Sequence, residues 1–214
     1  MKKWINTIFG SNKEDDVRKL EQPGDLQIGD IIKFRYLPQP ELSNQEFQVK
    51  TINTYDFEDR NLTEFVLQGT YPENLYMTVD DTDDEPFLAI SRKINRDVVE
   101  KIFDLDQFAL LFDDESHNQL SPQATPDELK SWIAHSYIQE IFAEGGYFLK
   151  GDYRNRTIPQ DSSSGEFFEY YLAIDDSRQW VVEAEVYDEG ETDVLLTIRR
   201  PLSDIDEMWP SANG

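Results

Sequence analysis

The feature that most limits what this chain can fold into is an echo: its second half returns to the pattern of its first. Glu64-Phe65-Val66-Leu67, then Leu88-Ala89-Ile90-Ser91-Arg92-Lys93-Ile94 and an acidic helical tail, comes back as Glu169-Tyr170-Tyr171-Leu172, then Leu196-Thr197-Ile198-Arg199-Arg200-Pro201-Leu202 and a second acidic tail. Within each half, short runs alternate apolar and polar side chains, the period of a half-buried strand. Ile32, Phe34 and Tyr36 share one face, Leu75, Met77 and Val79 another, and Trp180, Val182, Ala184 and Val186 a third. Short strands separated by hairpin-like turns predict a small barrel or a strongly curved antiparallel sheet. The expected class is α+β and β-rich, with two similar antiparallel β units flanking one capped helix.

That helix is expected over residues 126–144. Thr125 offers a cap, Pro126 the first helical position, Glu128 the far end of a capping box, and Gly145-Gly146 a stop. Its apolar surface is broad, with Leu129, Trp132, Ile133, Ile138, Ile141 and Phe142. A shorter helix ends the strands of the first unit, capped by Asn95 and carrying Val98, Val99, Ile102 and Phe103. The chain divides accordingly into an N-terminal amphipathic segment and linker (1–24), a first β unit (25–113), a connecting loop and helix (114–145), a second β unit (146–210) and a tail (211–214).

Composition narrows the function classes. With 44 Asp and Glu against 20 Lys and Arg, the formal net charge is −24. Such a surface repels nucleic acid and anionic lipid, so direct nucleic-acid binding is disfavoured, whereas a basic protein partner is favoured. Imitation of nucleic acid by the acidic surface is a further alternative. There is no cysteine, which removes disulfides, thiolate metal sites and cysteine nucleophiles. No run approaches the ~20 apolar residues of a membrane-spanning helix. The expected location is the cytoplasm. Trp4, Ile5, Ile8 and Phe9, spaced to share one helical face beside Lys2 and Lys3, offer a partner contact or a weak, peripheral contact with the inner membrane.

No catalytic constellation emerges. The two histidines, His117 and His135, are isolated from each other and form no zinc-binding spacing. The run from Asp80 to Glu85 lacks the glycine and the terminal glutamate spacing of a calcium loop. Ser162, Ser163 and Ser164 lack a nucleophile elbow, and no glycine-rich phosphate cradle exists. Neither catalytic, cofactor nor metal residues are assigned. Matched strand-end positions suggest instead an ion pair within each unit, Glu64 with Arg92 and Glu169 with Arg200. If a pocket lies between the units, its aromatic lining is Tyr147, Phe168, Tyr170 and Trp180, with His135 as its polar group. The leading expectation is a non-enzymatic interaction module, and the alternative is a small-molecule-binding or hydrolytic protein.

The stretch from Leu26-Gln27-Ile28-Gly29-Asp30 through Glu64-Phe65-Val66-Leu67, with the later Glu169-Tyr170-Tyr171-Leu172 and Glu191-Thr192-Asp193-Val194, resembles uncharacterised bacterial families of small β-rich proteins, the YjfK-like family among them. The resemblance extends over about two thirds of the chain. It implies an accessory role in a bacterial envelope-stress system, beside membrane-remodelling proteins like phage-shock protein A, and it brings no catalytic residues.

Overall fold

A computed structural model describes residues 18–81, 85–113, 118–159, 165–188 and 190–211. The N-terminal face of Trp4, Ile5, Ile8 and Phe9 lies outside the described residues, as does His117. The strands are β1 (Ile31–Phe34), β2 (Glu46–Phe57), β3 (Asn61–Gln68), β4 (Leu75–Asp80), β5 (Phe87–Ile94), β6 (Gln119–Leu120), β7 (Tyr137–Lys150), β8 (Glu166–Ile174), β9 (Trp180–Tyr187), β10 (Thr192–Pro201) and β11 (Ile205–Trp209). Two short helices, α1 (Arg96–Ile102) and α2 (Leu105–Ala109), follow β5.

Strands β2 to β5 make one antiparallel meander and β7 to β10 another. The meanders meet along two seams, β5 on β10 and β2 on β7, so that eight strands close into a barrel. Closure leaves these strands no free edge to template further pairing. Outside the barrel, β1 pairs with the first part of β2 and carries β11 on its other side, while β6 pairs with the start of β7. Buried Asp30 ties this extension together, accepting hydrogen bonds from the amides of Gln27 (2.7 Å) and Ser211 (2.8 Å) and from the Arg18 guanidinium.

Because side chains alternate across a strand, each barrel strand has one outer and one inner set. The larger apolar core belongs to the outer set: Phe65 and Leu67 on β3, Leu75 and Met77 on β4, Leu88 and Ile90 on β5, Leu196 and Ile198 on β10. Val99, Ile102, Phe103 and Phe108 of the helical segment and the nearby Trp132 and Ile133 cover that face. In β2 a bulge between Val49 and Thr51 reverses the parity, so Phe47, Val49 and Ile52 all reach the outer core while Asn53, Tyr55 and Phe57 turn inward. One extra residue in one strand has this effect. The expected cap of α1 is present, the Asn95 side chain accepting from the Val98 amide at 3.0 Å.

The β-rich class and the barrel agree with expectation; the capped helix over 126–144 does not form. Asp127–Leu129 is a single 3-10 turn, and Tyr137–Lys150 is the longest strand. Its opening residues alternate by twos, Tyr137 and Gln139 buried, Ile138 and Glu140 exposed, and the segment gains ladders to both β8 and β2. Those long-range pairs outweigh a local capping signal. Gly145 and Gly146 are not a helix stop but interior strand residues. A Cβ at Gly146 would stand 2.8 Å from the Phe168 ring and 3.1 Å from that of Phe57, so the missing side chain lets two aromatic rings enter the barrel. Among the described residues no helix is long and apolar enough to cross a membrane.

Candidate functional site

The inner set of side chains surrounds a cavity of about 950 Å3 at one end of the barrel, bounded by both meanders. Through the shared walls of Tyr55, Glu64, Tyr76, Glu185 and Leu195 it narrows to a channel of about 130 Å3. The channel in turn reaches the opposite end beside Arg60, Asp80, Phe87, Ile141 and Arg199. The register explains the lining. On β3, Glu64 and Val66 point in where Phe65 and Leu67 point out; on β5, Ala89, Ser91 and Lys93 point in; on β9, Val181, Glu183 and Glu185 do so.

The narrowing is crossed by hydroxyls and carboxyls. Asn53 Nδ2 donates to Glu64 Oε1 at 2.8 Å, and the Tyr55 hydroxyl lies 3.3 Å from Glu64 Oε2. Glu185, on the same wall, accepts from Tyr187 Oη at 2.7 Å. Deeper in, Tyr170 Oη donates to Glu183 at 2.5 Å. Glu64 and Glu185 are 4% and 5% exposed. Burial penalises their charged forms, pushing Glu64 up to about 7 and Glu185 up to about 8 even though their hydrogen bonds favour the anion. Burial likewise holds the Tyr55 and Tyr170 phenols well above their usual range.

Around this ladder the walls are aromatic. Tyr55 sits 5.2 Å from Phe148 and 5.5 Å from Phe168, and Phe168 lies 5.8 Å from Tyr187. Lys93 forms an ion pair with Asp193 at the wide end. At the far end, Arg60 grips Glu144 with two bonds of 2.6 and 2.9 Å and covers the Phe57 ring at 4.2 Å. Arg199 lies over Phe87 at 4.7 Å. Among the described residues no group of three or more acidic or histidine side chains is arranged to hold a metal ion. Among the described residues no histidine lines the cavity or the channel.

Of the residues expected to line a pocket, Tyr147 borders the wide cavity, Tyr170 borders the channel, and Phe168 is buried behind the lining against Tyr55 and Phe57. Trp180 points the other way, packing on the outer core with Nε1 donating to the Ser131 carbonyl at 3.1 Å, and His135 is exposed on the loop before β7. The expected ion pairs do not form. Glu64 faces inward, whereas Arg92, its neighbours Ser91 and Lys93 facing the lumen, faces outward and binds Glu41 and Glu73 at 2.8 and 2.9 Å. Glu169 accepts from Tyr171 Oη at 3.0 Å, and Arg200 binds Asp204 at 2.6 Å. Glu169 and Glu64 are thus not equivalent: Glu169 is flanked by the inward Phe168 and Tyr170 and faces out, one residue out of phase with Glu64.

Glu183, Glu185 and Asn53 escaped sequence reasoning because a charged strand face ordinarily meets water. The available signal was Glu183-x-Glu185-x-Tyr187 on one face of a strand whose other face, Val182 and Ala184, is also apolar enough to be buried. Comparison with protein-family models, curated proteins and solved structures finds no match to this chain.

Proposed function

We propose that this protein is a small-molecule-binding barrel whose ligand occupies the lumen between the two meanders. One observation carries the reading: an open cavity of about 950 Å3 occupies one end of a small barrel whose interior is ordinarily filled by its own side chains, and the larger apolar core sits outside. Its size and mixed aromatic and polar walls are those of a ligand site. No catalytic role is assigned to any residue. The test is native mass spectrometry of the protein purified from its source cells, alongside Leu195→Trp, which places an indole where both cavity and channel are walled. A small molecule retained by the natural chain and lost from a folded Leu195→Trp protein is the expected result. An empty natural chain, or identical cargo in both proteins, overturns the reading.

The two meanders also invite a reading as copies of one unit. Each runs through four successive antiparallel strands, and each is preceded by a strand that pairs with its first member, β1 on β2 and β6 on β7. The second functional reading is an acidic accessory module with a basic or membrane-associated protein partner, as the resemblance to YjfK-like families implies. It is favoured by the net charge of −24 and by the exposure of Tyr36 (85%) and Ile28 (60%). Affinity purification with a Tyr36→Ser/Ile28→Ser variant tests it, with reproducible partners expected to depend on those side chains; partners retained equally by the variant refute that contact.

A further inference from the structure

We propose that the lumen takes a small organic cation, an amine or a quaternary ammonium ion, and that the cation displaces a proton held by the buried Glu64 and Glu185 carboxyls. The inference rests on the reading of the lumen as a binding site and specifies its ligand and its control.

The first argument is charge. The wide cavity is lined by six carboxylate side chains and two lysines. Lys93 is taken up by Asp193 and Lys150 by Glu166, at 3.1 Å in the latter pair. Glu64, Glu185, Asp188 and Glu191 stand on that lining without an ion pair among the described residues, so an anion would meet a repulsive wall. The second argument is the walls themselves. Tyr55, Tyr76, Phe148 and Tyr187 line the same space, and aromatic faces attract an ammonium group most strongly where water is excluded. The Tyr76 hydroxyl, half-buried on that wall, makes no hydrogen bond to a described residue and is available to a ligand.

The third argument is a proton count. Tyr55 gives its one O–H to Glu64 at 3.3 Å, and Glu64 and Glu185 are buried on one wall of the lumen with no cation paired to either among the described residues. Asn53 also donates to Glu64, and Tyr187 donates to Glu185. If both carboxyls were ionised, two buried negative charges would share that wall uncompensated. The wall is relieved when one of the two carboxyls carries a proton. Other groups facing the ladder act in the same sense or are spent: Glu183 from β9 adds negative charge, Tyr170 from β8 donates to Glu183, and Lys93 from β5 is paired with Asp193 of β10. Tyr76 from β4 is a neutral phenol raised further by burial. The upward displacement of both carboxyls agrees with a retained proton. When a cation enters, the carboxyl O–H bond breaks, the proton passes to buffer, and the new carboxylate faces the cation. Charge balances without oxidant or reductant.

The experiment is isothermal titration of the full chain with choline, with spermidine and with 3,3-dimethylbutanol, the uncharged analogue of choline, in salt that screens the outer surface. Buffers of differing ionisation enthalpy count protons. At least one cation is expected to bind at a single site blocked by Leu195→Trp, at least about tenfold more tightly than the neutral alcohol, with about one proton released near pH 7. Affinity is expected to rise with pH, approaching tenfold per unit on the acid side where one proton competes. Glu185→Gln, which keeps an acceptor for Tyr187, is expected to bind with the release abolished; circular dichroism verifies its fold. Absence of saturable cation binding at about 10 mM, enough to reveal a millimolar Kd, overturns the inference, as does binding without proton release. Lumen cargo that is neutral or anionic overturns the cation while sparing the binding reading; an empty, unresponsive lumen removes both.

Discussion

The two faces of the barrel sheet are built from alternate residues of the same strands and obey opposite rules. Outward, Phe65, Met77, Ile90 and Leu196 are almost wholly buried beneath the helical segment and Trp132. Inward, their chain neighbours Glu64, Tyr76, Ser91 and Leu195 border open space. The contrast teaches where stability resides. Apolar burial, at about 25 cal/mol per Å2, holds this barrel chiefly from outside, while its interior sets carboxyls, whose desolvation opposes folding, beside a smaller aromatic cluster. An interior that costs stability is the expected mark of a site.

The largest test uses two adjacent leucines on β10. Leu196 belongs to the outer core and Leu195 walls the lumen. Leu196→Ala is expected to lose about 3–5 kcal/mol, because it opens a void in a packed region. Leu195→Ala is expected to lose roughly 2 kcal/mol, the transfer contribution alone, since the carbons it removes merely enlarge an existing cavity. Equal losses in urea unfolding would break the comparison.

Next comes the pH dependence of stability. Glu64 and Glu185 are held at about 7 and about 8 in the folded chain against an ordinary 4.5. The folded state therefore binds protons that the unfolded state has lost. The stabilising contribution is complete below the ordinary carboxyl range and disappears as the pH rises through 7 and 8. Between pH 6 and 9 the loss is on the order of 4 kcal/mol, at about 1.4 kcal/mol per unit of displacement. A Glu64→Gln/Glu185→Gln protein is expected to unfold at nearly constant urea concentration over the same range.

A third test moves to the seam where β7 meets β2 and β8. The Gly146→Ala methyl would press on the rings of Phe168 and Phe57, and overpacking of this kind costs about 1–3 kcal/mol. Gly69→Ala would meet a ring as well, that of Phe47 on the outer face, at 2.7 Å. If the lumen is the looser side, thermal unfolding will show Gly146→Ala to be the milder change.

Period-two alternation made the strands legible: β2 to β5, β9 and β10 all lie where it predicts them, and Asn95 caps α1 as its side chain suggests. It could not reveal which face would be inside, because alternation is symmetric between them. Glu185 therefore reads as solvated and Trp180 as pocket-lining, and the fold reverses both assignments. The helix over 126–144 failed for a different reason. Thr125, Pro126 and Glu128 are local signals, whereas the ladders of Tyr137–Lys150 pair Lys150 with Asn53, 97 residues before it, and Phe148 with Glu166, 18 residues after it. Only closure of the barrel places them there.

The smallest effect concerns the seam that joins the two meanders inside the lumen. Thr197 stands directly opposite Ser91 across β10 and β5, and its hydroxyl donates to the Ser91 oxygen at 2.7 Å. Both side chains border the channel rather than the outer core. Thr197→Val alone, or Ser91→Ala alone, leaves one buried hydroxyl without its partner and is expected to lose about 1 kcal/mol. Changing both removes the unsatisfied group, so the double variant should lie within about 0.5 kcal/mol of the natural chain, a coupling that a double-mutant cycle measures. If the channel admits water, that water satisfies the orphaned hydroxyl and the single changes become as mild as the double. Full coupling would mean that the channel beside the seam is dry, and that ligand and solvent are confined to the wider end where Glu64, Tyr55 and Glu185 meet.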